Sequence, residues 1–338
     1  MVNNNGGAIY NKGYITCNGN TTIAYSTARL GAGIYNDGGT LICTGPIHVH
    51  HNKAPYGAGV YNSGTIQFQQ GAIIDYNVAT TNGGGIFNNA SGTITVGLDE
   101  THPADINVSF DTASGSFGQG GIGNSGTIII YGKTTINGNY ASKAFARAAG
   151  LYNSGGTIIC KGEVNILDNF VESATSSPTS TGGGGIANIS AGTINFEGTT
   201  TINNNCHYNG LGGGIYNAGK STINFLSTAT LNNNYSSSSG GAIYNTKSFI
   251  NFKGNVTING NSATSSAGIY NDSVINIGTD IAHPANLVLN EDTARTGAGG
   301  GIYNTANGTI NCYGNLTATN DTSKTTGGDF ETFAQELR

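Results

Sequence analysis

"GGAIYN", residues 6–11, returns along the chain as "GAGIYN" at 31–36, "GAGVYN" at 57–62, "GGGIFN" at 83–88 and "GGGIYN" at 212–217 and 299–304. Anchoring on the last residue gives eleven positions: Asn11, Asn36, Asn62, Asn88, Asn124, Asn153, Asn188, Asn217, Asn245, Asn271 and Asn304. Their separations run from 25 to 36 residues, too long for a hexapeptide coil and suited to a coil of three strands joined by turns.

Each repeat divides into three strand-like pieces: the Ile-Tyr-Asn phrase, a second such as "TIQF" or "TINF", and a third such as "TTIN" or "VTIN". Alternation within each piece has period two, the mark of a strand with one buried face. From the last inward residue of the second strand to the inward residue of the third is six positions in nine of eleven rungs, as from Cys17 to Ile23 or Phe196 to Ile202. In the other two, Val96 to Val108 and Ile277 to Leu289, it is twelve. So fixed a count marks a structural corner, while the exit from the third strand varies from 11 to 20 residues, as a surface loop does. Glycine before Ile admits the bend, and a terminal Asn can bond to the Asn above and below it. These features predict an all-β right-handed parallel β-helix, a solenoid of about eleven three-strand rungs and roughly 50 Å at ~4.8 Å per rung.

"GGDFETFAQELR" breaks the pattern, and Phe330, Phe333 and Leu337 share a helical face. The expected division is residues 1–326 as β-helix and 327–338 as a short C-terminal helical cap or tail, with the helix starting at Asp329. A solenoid also leaves an unpaired edge at each end, so end-to-end self-association is expected. "FVESATSSPTST", residues 170–181, has little apolar surface and is expected to leave the rod.

Alternation of "GGAIYN" with Ile-x-x-Asn (Ile136 to Asn139, Ile202 to Asn205, Ile258 to Asn261) resembles the GGAI and FxxN repeats of polymorphic outer membrane proteins. It is also similar to the adhesin-like surface proteins of gut microbes and methanogens. Here Ile or Leu stands where that family has Phe, and the chain shows no C-terminal β-barrel pattern. The resemblance covers nearly the whole chain. It implies a parallel β-helix displayed outside the cell or on its surface as an adhesin, with a host or microbial surface glycan or protein as partner.

Composition narrows the function from the other side. Thirteen basic and 18 acidic residues give a net charge of −5 without a Lys/Arg cluster, so no nucleic-acid partner is expected. No apolar run approaches a membrane span, and "MVNNNGGAIYN" lacks the charged and apolar regions of a signal peptide. Outward second-strand positions such as Thr16, Gln67, Asn195, Asn224 and Asn251 form no carboxylate column, so a non-enzymatic adhesin or structural fibre module is expected. The alternative is a carbohydrate-active enzyme or glycan-binding module on the same coil, since β-helix enzymes place carboxylates on neighbouring rungs.

Two groups of residues are candidates for binding. The Tyr of the phrase forms a column, Tyr10, Tyr35, Tyr61, Tyr216, Tyr244, Tyr270 and Tyr303, which can stack on sugar rings or on itself. The two twelve-residue corners, "GLDETHPADINVSFDTA" and "GTDIAHPANLVLNEDTA", align residue for residue and pair Asp99 with His102 and Asp280 with His283. These can bind a cation or glycan, or cap their own loops. "IHVHHN", residues 47–52, carries three imidazoles of the kind that bind Zn or Cu. No carboxylate is near in sequence and no other rung repeats the cluster, so no metal or other cofactor is expected. Cys17, Cys43, Cys160 and Cys312 share a column with Phe68, Phe196, Phe225 and Phe252 and read as core. Cys206 reads as a loop residue, first to meet a thiol reagent.

Overall fold

The computed structural model describes residues 4–143, 146–172, 182–328 and 330–332. Among these there is no helix; strands stack into three wholly parallel sheets of 21, 11 and 10 members. One rung shows the plan. Ile34–Asn36 and Thr40–Cys43 lie in the first sheet, Ile47–His50 in the second and Lys53–Tyr56 in the third. Neighbouring rungs pair without slippage at the phrase: Ile9 opposes Ile34, Tyr10 opposes Tyr35 and Asn11 opposes Asn36. This is the expected parallel solenoid.

The fourth strand of the rung is an addition to the expected three. It lies in the exit that varies in length, and its inward column reads Ala54, Ala79, Ala113, Ala141, Val171 and His207. Small side chains over two to five residues leave no period-two signal, and they pack into small clusters of their own beside the main core. Inward residues of the other strands build one continuous core, with Ile194, Phe196 and Ile202 all fully buried. Phe196, Phe225 and Phe252 stack along the axis at centroid spacings of 5.2 and 4.6 Å.

The small residues of the phrase have separate duties. Its first glycine takes positive φ, +53° at Gly31 and +67° at Gly212. The glycine just before Ile lets rungs approach: a Cβ built on Gly33 would lie 2.5 Å from the Gly59 carbonyl oxygen. The phrase then ends in the expected ladder. From Asn11 to Asn304 each Nδ2 donates to the next Oδ1 at 2.8–3.1 Å. A second buried ladder runs down the other corner through Asn52, Asn77, Asp111, Asn139, Asn169, Asn205, Asn234, Asn261 and Asp292. Such ladders satisfy the corner amides, which have no sheet partner.

The helical cap is a correction. Phe330–Thr332 is a strand, paired with Ile302, Tyr303 and Asn304 in the register of the phrase. A strand at that place satisfies the exposed edge of the preceding rung, whereas one short helix carries the full cost of nucleation. The rest of the expected helix, at 329 and 333–338, lies outside the described residues. So does most of the Ser/Thr-rich exit, at 173–181.

Candidate functional site

The tyrosines form the expected column, but their rings pack against one another. Tyr10, Tyr35, Tyr61 and Phe87 meet at 5.3, 5.1 and 5.3 Å, the first pair tilted, the second edge to face and the third stacked, and Tyr216, Tyr244, Tyr270 and Tyr303 stack at 5.6, 4.4 and 5.7 Å. Gly123 and Ala187 part the two runs. Tyr35 and Tyr216 are buried, the latter in a cluster with Ala148 and Ala187 against which Leu211 packs. Burial and nearby acidic or phenolic groups push the Tyr35 hydroxyl up to about 12. Tyr10 is the exposed end of its run, and its hydroxyl donates to Asp37 at 2.9 Å.

The two acid–histidine pairs form as the aligned insertions imply. His102 Nδ1 lies 3.1 Å from Asp99 Oδ1, and His283 Nδ1 lies 3.0 Å from Asp280 Oδ1. Each Asp also caps its own turn: Asp99 Oδ1 accepts from the Thr101 and His102 amides at 2.8 and 2.9 Å. Hydrogen bonds from Thr101 and His102 hold the Asp99 carboxyl down at about 2. The two insertions are six rungs apart, roughly 29 Å at ~4.8 Å per rung, so they do not form one site.

The first insertion builds something larger. Residues 98–105 overhang the second sheet and wall a groove of about 1070 Å³. Its floor is the outward column Thr22, His48, Ile73, Asn107 and Thr135, one residue from each of five rungs. Ile73 is 45% exposed at the centre of this floor. The wall is pinned from outside, where Lys161 Nζ reaches Glu100 at 3.2 Å and Glu197 at 3.0 Å. At the rim, Asp105 Oδ1 accepts from the Lys133 amide at 2.7 Å. His102 thus lines the groove, while Asp99 holds the turn that presents it.

At the far end of the same strands stands an aromatic edge. Tyr25, His51, Tyr76 and Phe110 follow the strands Thr21–Ala24, Ile47–His50, Ala72–Asp75 and Ile106–Ser109 directly. Their rings stack at 5.1, 5.2 and 5.2 Å, and Tyr25, Tyr76 and Phe110 are 75, 47 and 46% exposed. All four have left-handed backbone, with φ between 53° and 56°. The same corner in later rungs holds Gly138, Asp168, Asn204, Asn233, Gly260, Glu291 and Asn320, all but Glu291 of residue types that tolerate this conformation. Four successive bulky residues are therefore placed against backbone preference, and such strain gathers at functional positions.

The histidine cluster lies between floor and edge. Asp75, brought from the next rung, meets His48 Nε2 at 2.8 Å, so the carboxylate missing from the local sequence is present in space. His50 Nδ1 faces His51 Nδ1 at 2.9 Å, and desolvation with the neighbouring imidazoles lowers the His50 pKa. No group of three or more acidic, His or Cys side chains among the described residues is arranged to hold a metal ion.

Two cysteine expectations also change. Cys43 and Cys160 are buried in the core column; Cys17 and Cys312, in the first and last second strands described, pack against the core as expected but are partly exposed. Cys206 starts the strand Cys206–Tyr208, and burial pushes its thiol up to about 12. No helix among the described residues is long and apolar enough to cross a membrane.

Sequence reading passed over the groove floor and the aromatic edge. Lining up the residue just before the second-ladder Asn or Asp, where Tyr25, His51, Tyr76 and Phe110 replace Gly, Asn and Asp, is the signal that finds the edge. Comparison with known proteins finds no matching family model, no matching curated protein and no matching solved structure.

Proposed function

We propose that the protein is a non-enzymatic, surface-displayed β-solenoid of adhesin type that holds an extended, uncharged glycan along its first four to five rungs. The observation that carries this reading is the run of four exposed aromatic and imidazole side chains in left-handed backbone beside the groove. The groove runs parallel to the axis and offers hydroxyl, amide and imidazole groups around one exposed Ile, which suits the mixed polar and apolar faces of sugar rings. Tyr25, Tyr76 and His51 add polar tips on an apolar ridge, the combination favoured at wet interfaces. Asp75 is engaged by His48 and Asp105 by the Lys133 amide, which favours binding over hydrolysis by a free acid pair.

A glycan array with the intact protein tests the reading, beside Ile73→Asp and Tyr76→Asn. Neutral oligosaccharides are expected to bind, and both substitutions to weaken binding at least tenfold while the fold is kept. Tyr76→Asn removes ring contacts but relaxes the backbone, so its stability is expected to stay within about 1 kcal/mol of the parent. Release of reducing ends from a bound glycan, abolished by His48→Ala, would instead establish the enzyme alternative.

A further inference from the structure

The second ladder, which ends at Asp321, contains a chemical mismatch at two of its inner rungs. In an Asn rung the amide nitrogen donates twice: Asn139 Nδ2 to the Val108 carbonyl and to Asn169 Oδ1, both at 3.0 Å. Asn205 Nδ2 does the same with the Ile166 carbonyl at 2.9 Å and Asn234 Oδ1 at 3.1 Å. Asp111 and Asp292 occupy this place in their own rungs. Their Oδ1 atoms behave as an amide oxygen does: Asp111 accepts from Asn77 N and Nδ2 at 2.7 and 3.0 Å, and Asp292 from Asn261 N and Nδ2 at 2.7 and 2.9 Å.

The other oxygen sits where the amide nitrogen belongs. A Cβ built on Gly85 would lie 2.5 Å from Asp111 Oδ2, and one on Gly268 would lie 2.8 Å from Asp292 Oδ2. The equivalent positions on Gly59 and Gly150 lie 3.0 Å from Asn77 Nδ2 and Asn169 Nδ2. Both aspartates have 0% exposure, and neither Oδ2 has a hydrogen-bond partner. In the Asn rungs this slot faces two acceptors, a main-chain carbonyl and the next side-chain oxygen. An ionised carboxylate there would set lone pairs against lone pairs with no water between them.

We propose that Asp111 and Asp292 keep their protons in the folded protein near neutral pH and serve the ladder as hydroxyl donors, which makes the rod sensitive to pH at two chosen rungs. The charged groups that face them reinforce this, since both are carboxyls: Asp75 toward Asp111 and Asp321 toward Asp292. Burial is the larger cause in each case; it raises Asp111 well above the ordinary carboxyl range and Asp292 to about 8. Asp111 closes the rung whose insertion walls the groove, so the wall stands on a proton-bearing step.

A carboxyl whose folded pKa is raised binds more protons folded than unfolded, so its contribution is complete at low pH. It declines as pH rises from about 4, and for Asp292 it stops declining at about 8. Each site then costs roughly tenfold in the folding equilibrium constant per pH unit inside its window. The test uses the full chain with carboxyl-labelled aspartate and reads protonated carboxyl signals by infrared or carbon NMR at pH 6. Two are expected in the parent, one lost in Asp111→Asn and the other in Asp292→Asn. Urea unfolding from pH 4 to 8 should show each Asn variant gaining on the parent as pH rises, by up to about a thousandfold at pH 7 if acid and amide fit the ladder equally. Ionised signals for both carboxyls at pH 6 in the folded parent overturn the proposal, and so do variant profiles parallel to the parent's.

Discussion

Replacing Asn124 with Ala tests whether the first ladder holds the rod together or merely decorates a corner. Asn124 is 1% exposed and takes part in five hydrogen bonds. Its Nδ2 donates to Asn153 Oδ1 at 2.8 Å and to the Gly126 and Thr157 carbonyls; its Oδ1 accepts from Asn88 Nδ2 at 2.8 Å and from the Gly126 amide at 3.2 Å. Asn88 Nδ2 keeps the Gly92 and Thr127 carbonyls when Asn124 is shortened. Asn153 Oδ1 and the Gly126 amide lose the bonds described for them, at places water does not reach. At roughly 1–3 kcal/mol for each stranded buried group, the loss is about 3–5 kcal/mol. The control is Asn251→Ala, on a half-exposed outer ladder that joins Asn224 and Asn276 at 2.8 Å, where water replaces the lost bonds and about 1 kcal/mol or less is expected. Urea unfolding of the two variants, with hydrogen exchange at the flanking rungs, measures the difference. A loss at Asn124 no larger than that at Asn251 refutes the reasoning.

The remaining predictions concern single columns. Thiol reagent under native conditions should modify Cys17 and Cys312 well before Cys43 and Cys160, whose thiols burial pushes up to about 12; uniform rates would contradict the assigned core. Phe225→Ala, which empties the middle of the Phe196–Phe225–Phe252 stack, should cost about 3–5 kcal/mol in urea unfolding, and a loss under 1 kcal/mol would mean that the column is loosely packed. His207 is fully buried and desolvation lowers it to about 4. Its folded pKa lies below its unfolded one, so its contribution is present above about pH 6.5 and is lost toward pH 4, at roughly 1.4 kcal/mol per unit. His207→Ser should flatten that acid limb, and an unchanged limb would show that the folded ring takes up its proton as readily as the unfolded one.

Much of the fold was legible because a parallel solenoid repeats its constraints in sequence. The glycines that bring rungs together, the inward Ile and Phe positions and the ladder Asn each recur once per rung, so a fixed six-residue interval could expose the corner between second and third strands. The third sheet escaped for a physical reason. Its inward residues are small, as at Ala54, Ala79 and Ala113, and strands of so few residues carry no amphipathic pattern. The C-terminal segment misled differently: Phe330, Phe333 and Leu337 have helical spacing, but an open sheet edge beside Ile302–Asn304 offers Phe330–Thr332 paired backbone bonds that a lone helix cannot match.

The candidate site is less legible because it is made of departures from the repeat rather than of the repeat itself. The stacked Tyr column drew attention since it recurs, yet recurrence is what a structural ladder produces: Tyr244 and Tyr270 are parallel within 3° and lie 4.4 Å apart, face against face. The aromatic edge breaks a rule that all but one of the other rungs obey. Where Asn204 and Asn233 take left-handed backbone at little cost, Tyr76 and Phe110 take it against their side chains. Asp111 and Asp292 break a rule in the same way, placing an acid where the ladder calls for an amide. In a protein whose every turn solves the same packing problem, the packing explains what is common to the turns. What differs at a fixed column, at a cost the fold does not require, is where binding and response to the surroundings should be sought.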